Sequence, residues 1–463
     1  MCLVAILALP LFTPRLYGSD EIKYFVPLRS FYFDRDLHYA NEYAHFISRD
    51  PVAHAGLEPY METVTSTGHR LNDAPIGSAF LWAPFYVVAD VAVVVARTFG
   101  VNVQRDGYGW PYTFAVCLGS LVWGTAGLFL TYRLCRKYAS RMAASLSVIS
   151  IWFASPLILY LYITPPMAHA NSMFAVALYL LVWHETRQRS QTSWWAFLGA
   201  TAGLMVLVRE LNWLFLLTIV IDELTAIFVF SKSGLKRSET LLSSCGTLSA
   251  GLCKQIQRKW RGYLTFAVLF GVVVAPQFFV YLTLHGTFGP SPFILEKFLM
   301  VPSFAGAVLF SGFHGLFSWH PVTFLGVLGL IYFWRYEPLI ASALALVFIV
   351  QVAVIGSYET WWGGASFGAR RFINCLPIFA LGLAVVLTRL QPFMRRVAAF
   401  GLAFLVIWNL GLAMQYSAGL IPRDRPVMMK EIVYNQFFEV PSRLSGIAWR
   451  FAFDRSSFYR TRQ

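Results

Sequence analysis

The chain has 463 residues, of which 57% are hydrophobic and only 13% charged, whereas a soluble domain carries about a quarter charged residues. This composition excludes a water-soluble globular protein. The formal net charge of +14 does not signal nucleic-acid binding, because the basic residues cluster in short linkers between apolar runs, where they set topology.

Lipid satisfies no backbone polar group, so a spanning segment must be a helix or part of a closed barrel. The apolar runs are continuous rather than alternating, which selects helices. In chain order they fall at 2–17, 77–98, 112–132, 143–163, 169–184, 195–210, 212–230, 263–284, 305–334, 338–356, 373–388 and 397–415. The first begins almost at Met1 and lacks a basic leader and a small-residue cleavage site, so it reads as a shortened first transmembrane helix rather than a signal peptide. Of the six cysteines, Cys245 and Cys253 have neither CxxC spacing nor a nearby His. The spacing supports no zinc site and no disulfide framework.

Charge parity orders the runs. Basic linkers carry Arg133, Arg136, Lys137 and Arg141, then Arg187 and Arg189, then Lys232 through Arg261, then Arg335, and finally Arg389, Arg395 and Arg396. The alternate linkers are poor in Lys and Arg. With the first helix running outward, a crossing at 77–98 would put every basic linker outside; without it, all fall in the cytoplasm. The segment 77–98, interrupted by Pro84 and Asp90, is therefore expected as an interfacial or re-entrant helix. The fold class that follows is all-α and polytopic, a single domain over 1–463 with about eleven transmembrane helices. A large first outer loop (18–111), a basic cytoplasmic loop (231–262) and an outer C-terminal tail (416–463) complete it.

The outer face then holds the candidate chemistry. Asp20 and Glu21 follow the first helix at the water boundary, where a carboxylate can act as general base toward an acceptor hydroxyl; a solvated acid that merely ends a helix has the same signature. Asp34-Arg35-Asp36 has the spacing of a metal-binding acidic pair, and equally that of a solvated turn. Trp361-Trp362-Gly363-Gly364 precedes Arg370-Arg371. Tryptophan stacks on sugars or anchors at the interface, and arginine grips phosphate with two parallel hydrogen bonds. An aromatic belt with snorkelling arginines is the alternative. His169 opens a helix facing the same side, as a site-lining group or a satisfied structural residue. Arg209-Glu210 reads as a self-neutralising pair. Asp222-Glu223 lies within an apolar run, as an intramembrane acidic site or near the cytoplasmic boundary. No P-loop, GxGxxG or Ser-His-Asp pattern is present. No cofactor is indicated, and ligand spacing supports no divalent metal.

These residues resemble the GT-C superfamily of polytopic glycosyltransferases, near the protein O-mannosyltransferases and the lipid A aminoarabinose transferases. Gly18-Ser19-Asp20-Glu21 with Tyr24 looks like the acidic motif that opens the first outer loop, in which the acid is the proposed base; Asp20 matches it best, with Glu21 beside it. Asn72-Asp73-Ala74-Pro75-Ile76-Gly77, followed by Leu81-Trp82-Ala83-Pro84, resembles the lead into a membrane-surface helix. Trp361 through Arg371, then Pro377, looks like a late outer motif. The resemblance implies inverting transfer of a sugar from a polyprenyl-phosphate donor to a glycan, lipid or protein acceptor, on the periplasmic or exterior side of a bacterial plasma membrane. Arg370 or Arg371 would hold the departing phosphate, with His169, Trp361, Trp362 and Tyr24 lining the site. The segment 164–169 has no carboxylate, which departs from relatives that carry a second acid there and puts a two-acid mechanism or a metal site in doubt. A transporter or flippase of lipid-linked saccharide is the competing expectation, and a non-catalytic subunit of an envelope-assembly complex is a third. Both transporter hallmarks, internal repeats and midplane ionisable groups, lack clear support in the sequence.

Overall fold

The computed structural model describes residues 1–187, 189, 191–234, 241–422 and 425–458. These residues are predominantly helical, and their β-pairing is confined to two isolated bridges, Val64–Arg70 and Phe298–Tyr358. The principal helices are α1 (Cys2–Ala8), α2 (Ser19–Arg29), α3 (Gly77–Thr98), α4 (Trp110–Cys135), α5 (Arg141–Phe153), α6 (His169–Arg187) and α7 (Thr192–Val208). They continue with α8 (Leu217–Gly234), α9 (Leu241–His285), α10 (Pro321–Phe333), α11 (Pro338–Gly356), α12 (Leu376–Arg389), α13 (Pro392–Ser417) and α14 (Val440–Phe453). Among the described residues six helices are long and apolar enough to cross a membrane, with shorter apolar helices among them. The all-α polytopic expectation is borne out.

Local chemistry sets the boundaries. Pro111, Pro321, Pro338 and Pro392 sit in the first turns of α4, α10, α11 and α13, where a missing N–H costs nothing. The same residue type corrects the hydropathy boundaries. The first run, expected over 2–17, is helical only through Leu11, and Pro14 follows. The run 143–163 breaks at Ser155-Pro156 into α5 and a turn over Leu157–Tyr162. The run 305–334 divides into Ala305–Phe310, Leu316–Trp319 and α10, because Pro321 cannot continue a preceding helix. Conversely, the linker expected over 231–262 is helical wherever it is described, through Gly234 in α8 and from Leu241 in α9; 235–240 lie outside the described residues. Lys, Arg, Gln and Leu are good helix formers, so hydropathy marks where lipid ends and not where the helix ends. The C-terminal segment is also structured. It carries Met429–Tyr434 and α14, and Arg455 donates to the carbonyls of Phe12 and Pro10 at 3.1 and 2.7 Å.

The long helices pair α4 with α6, α6 with α7, α7 with α9, and α10 with α12. The last pair closes on small residues. A Cβ at Gly329 would stand 2.2 Å from the Gly382 carbonyl oxygen, so only glycine permits this approach. Gly329→Val is expected to lower stability by about 1–3 kcal/mol through overpacking, read as a fall in the thermal midpoint in detergent.

A second core lies beneath the first loop. Ile22, Phe25 and Val26 of α2 pack there with Tyr39, Tyr43, Trp82, Tyr86 and Tyr112. Helix α3 has the boundaries expected of 77–98. Its mid-helix Asp90 receives both Nε and Nη2 of Arg105 (2.9 and 2.7 Å) and the hydroxyls of Tyr32 and Tyr112 (2.9 and 2.7 Å). That carboxylate is a fixed structural anchor.

Candidate active site

With Ile22, Phe25 and Val26 buried on one face of α2, Asp20, Lys23 and Tyr24 fall on another at i, i+3 and i+4 spacing. All three line a cavity of about 480 Å³. The opposite wall comes from the start of α12. Arg370 and Arg371 open a 3-10 turn, Arg370–Cys375, whose Phe372 and Ile373 are buried and fix its orientation. The loop before it turns through Gly363, Gly364 and Gly368, with φ of 83°, 71° and 57°, a region that favours glycine.

The two walls meet in an ion pair. Arg370 Nη1 donates to Asp20 Oδ2 at 2.7 Å, and Arg370 Nη2 donates to the Gly363 carbonyl at 2.8 Å. Lys23 Nζ lies 3.2 Å from Asp20 Oδ1. Lys23 is itself held by Asp73 Oδ1 (2.7 Å) and the Tyr60 hydroxyl (2.8 Å), and Tyr60 donates to Asp73 Oδ2 at 3.2 Å. Burial pushes the Asp20 carboxyl up, but Lys23 and Arg370 outweigh it and hold Asp20 well below the usual carboxylate range. Burial pulls the Lys23 ammonium down, and Asp73 and Asp20 reverse this and raise it. Asp20 is thus ionised and oriented, with 34% of its side chain open to the cavity.

The remaining cations are placed differently. Arg371 stacks over the Tyr358 ring at 4.5 Å, and no carboxylate of the described residues forms an ion pair with it. Arg209, at the end of α7, shares a 3.0 Å hydrogen bond between its Nη1 and His169 Nδ1; the guanidinium is the donor, so Nδ1 is the unprotonated nitrogen. Lys23, Arg209, Lys297, Arg370 and Arg371 face Asp20, Asp73 and Glu210 across the cavity. Among the described lining residues the cations outnumber the carboxylates by two, a balance that favours an anion.

Asp20, Tyr24, His169, Arg370 and Arg371 converge here as expected. Glu21 does not line the cavity. Its carboxylate caps α2 instead, accepting from the backbone N–H of Tyr17 (2.6 Å) and Gly18 (3.1 Å), so its expected support of Asp20 is corrected to a role in fixing the helix start. Burial raises the Glu21 carboxyl to about 7, although those amides and Arg15 pull the other way. Folded Glu21 therefore holds its proton more tightly than the unfolded chain does, and its stabilising contribution is lost as pH rises from about 4.5 toward 7. Glu21→Gln keeps an acceptor oxygen and is expected to flatten the fall of the thermal midpoint over that window. The flattening is partial, because burial raises Glu42 to about 7 as well. An unchanged slope would mean that Glu21 is ionised throughout.

Trp361 and Trp362 wall a minor recess that shares Arg370 and Arg371, rather than the main cavity. Trp361 stacks on Phe304 and Trp362 on Phe313, so they back the arginines. Asp34 and Asp36 do not converge on a common point. Asp34 pairs with Arg29 and accepts from Asn41 Nδ2, while Asp36 accepts from Ser30 Oγ. Among the described residues no group of three His, Cys, Asp or Glu side chains could hold a metal ion. Arg209 and Glu210 do not neutralise each other; Arg209 turns to His169, and Glu210 accepts from the Tyr281 hydroxyl. Lys23, Tyr60, Asp73, Arg209 and Tyr358 went unrecognised as site residues. The i, i+3 spacing of Lys23 from Asp20 was an available signal.

Residues 112–253, under a third of the chain, match the family described as dolichyl-phosphate-mannose-protein mannosyltransferase. No curated protein sequence matches the chain significantly. Among solved structures, ArnT from Cupriavidus metallidurans in the apo state superposes with a TM-score of 0.53 at 14% identity, covering 99% of this chain and 72% of ArnT. The chain shares the fold of ArnT. The matched stretch includes His169 and Arg209 but neither Asp20 nor the Arg370–Arg371 pair. The reading of those three residues rests on the geometry above.

Proposed function

We propose that this chain is a membrane glycosyltransferase that moves a sugar from a polyprenyl-phosphate donor to an acceptor hydroxyl of a glycan, lipid or protein. The observation that carries the reading is the convergence of Asp20 and two consecutive arginines, from opposite ends of the chain, on one cationic cavity. Asp20 Oδ takes the proton of the acceptor hydroxyl, whose oxygen attacks the anomeric carbon from the face opposite the leaving group. The bond from that carbon to the phosphate oxygen breaks, and polyprenyl phosphate departs with the electron pair. Arg371 and Arg209 present fixed positive charge to it. Attack from the opposite face inverts the anomeric centre.

In this reading α3 lies along the outer surface and the cavity opens to the periplasm or exterior of a bacterial plasma membrane. The basic cluster at the other end of α6 and α7 supports that orientation, since Lys and Arg accumulate on the cytoplasmic side. The test uses the purified chain in nanodiscs with a panel of radiolabelled polyprenyl-phosphate sugars, including the mannosyl form. Release of polyprenyl phosphate that depends on Asp20 is the expected result. Movement of intact lipid-linked sugar across vesicles, with no cleavage, would overturn it in favour of a flippase.

A further inference from the structure

Two short stretches of the chain share a pattern. Arg209-Glu210-Leu211-Asn212 and Arg371-Phe372-Ile373-Asn374 both read Arg-x-x-Asn, and their asparagines lie 162 positions apart. Arg209 immediately precedes the 3-10 turn Glu210–Leu216, and Arg371 sits in the first turn of Arg370–Cys375. Three residues of such a helix make one turn and rise about 6 Å, so each asparagine stands about one turn beyond its arginine. Both arginines line the Asp20 cavity, whereas neither asparagine does and both are fully buried.

The two turns meet asparagine to asparagine. Asn374 Nδ2 donates to Asn212 Oδ1 at 2.9 Å and to Gln351 Oε1 at 3.1 Å, and Gln351 Nε2 donates back to Asn374 Oδ1 at 2.8 Å. Gln351 Nε2 also donates to the Arg371 carbonyl at 3.0 Å. On the other side Asn212 Nδ2 donates to the Met205 carbonyl at 2.8 Å and to Ser172 Oγ at 2.9 Å. A carbonyl only accepts, so the carbonyls of Met205 and Arg371 at the two ends fix the orientation of every amide between them. Buried amides are costly unless their hydrogen bonds are made, and apolar side chains could pack two turns together without them. A fully satisfied network adds rigidity and a single arrangement.

We propose that Asn212 and Asn374 are positioning residues that set the spacing of Arg209 and Arg371, so that both guanidiniums close on one phosphate of the lipid donor. Like charges placed side by side repel, and the asparagine link holds the turns together while the cavity is empty. An arriving phosphate then meets two charge-assisted donors already in place. The inference rests on the reading of the cavity as the donor-phosphate site.

The full chain in detergent is titrated with undecaprenyl phosphate, a leaving group common to every sugar form, and Kd is read together with the thermal midpoint. Asn374→Leu keeps the side-chain shape and removes the link; it is expected to raise Kd about fivefold or more. R209Q should raise Kd about tenfold in the unmodified chain but less than about twofold on top of N374L, where the two arginines no longer act on one anion. Tyr179→Phe is the comparison, since it removes buried bonds to the Phe215 carbonyl (3.2 Å) and the Thr218 hydroxyl (2.8 Å) near the far end of the same turn. It should lower the midpoint and leave Kd unchanged. An equal rise of Kd in both variants would reduce the asparagines to packing and overturn the proposal, as would an unchanged Kd in N374L. Should N374L fail to fold, R209Q, R371Q and R209Q/R371Q decide. A double variant weaker than the unmodified chain by less than the product of the single effects supports a shared phosphate, and strict additivity overturns it. No binding of undecaprenyl phosphate by the unmodified chain would overturn the inference together with the donor reading. The expected Kd pattern without Asp20-dependent cleavage supports the asparagine link and removes only the transfer reading.

Discussion

Asp20→Asn is expected to reduce kcat by about 10²- to 10⁴-fold, the usual scale for loss of a general base, while donor binding becomes tighter. The second half of this expectation comes from the ion pair. In the free protein Asp20 occupies Arg370 Nη1 at 2.7 Å, so an arriving phosphate must compete with a carboxylate for that guanidinium. Asparagine keeps the shape and removes the competitor. The same competition bears on basicity. With Lys23 and Arg370 both against it, Asp20 is held low and is a poor base; a bound phosphate draws positive charge away and brings negative charge near, which raises it. The acid limb of kcat, which reports the donor-bound state, should then lie at higher pH than that of kcat/KM, which reports the free enzyme. Equal limbs, or an asparagine variant with weakened donor binding and full turnover, would remove Asp20 from the mechanism.

Arg371→Gln should have the largest effect on the donor. Arg371 faces the cavity from the Tyr358 ring with no ion-paired carboxylate among the described residues, whereas Arg370 is committed to Asp20 and the Gly363 carbonyl. A charge-assisted hydrogen bond to phosphate contributes about 1.5–3 kcal/mol, so the donor Kd should rise about 10- to 100-fold. Turnover should fall as well, since charge on the leaving oxygen grows toward the transition state. Arg370→Gln should weaken binding less and move the acid limb of kcat/KM upward, because Asp20 then keeps only Lys23. Binding measured with a non-hydrolysable polyprenyl-phosphonate sugar separates the two arginines, and an unchanged Kd in Arg371→Gln would sink its assignment.

Much of the architecture was readable in advance because hydropathy and charge are local properties. Continuous apolar runs imply helices, and the run at 77–98 has the observed ends of α3. What was lost is instructive. Hydropathy averages over prolines, so Pro321 and Pro156 went unheeded although each ends a helix. The helical content of 241–262 was missed for the converse reason, as its charges concealed good helix-forming residues. At the site, Asp20 and the arginine pair stood out by chemistry, position and family resemblance. Their partners did not. Lys23 reaches Asp73 across 50 residues and Arg209 reaches His169 across 40; the first pairing arises only when the first loop folds, the second only when α6 and α7 are assembled. Adjacent acids look alike in sequence, while the roughly 100° rotation between successive helix positions sends Asp20 into the cavity and Glu21 back onto the amides of Tyr17 and Gly18.

The separation of Asp20 and Arg370 along the chain, 350 positions, also has a consequence in time. At about 5–20 residues per second, roughly 20–70 s pass on the ribosome between the emergence of the carboxylate and that of its guanidinium. Throughout that interval Asp20 has only Lys23, itself clamped by Asp73 and Tyr60. That clamp, made wholly within the first loop, keeps the acidic half of the site oriented until the last helices arrive. A chain interrupted before the glycine-rich turn would carry Asp20 without its Arg370 counter-charge, so the complete cavity is among the last features the nascent protein acquires.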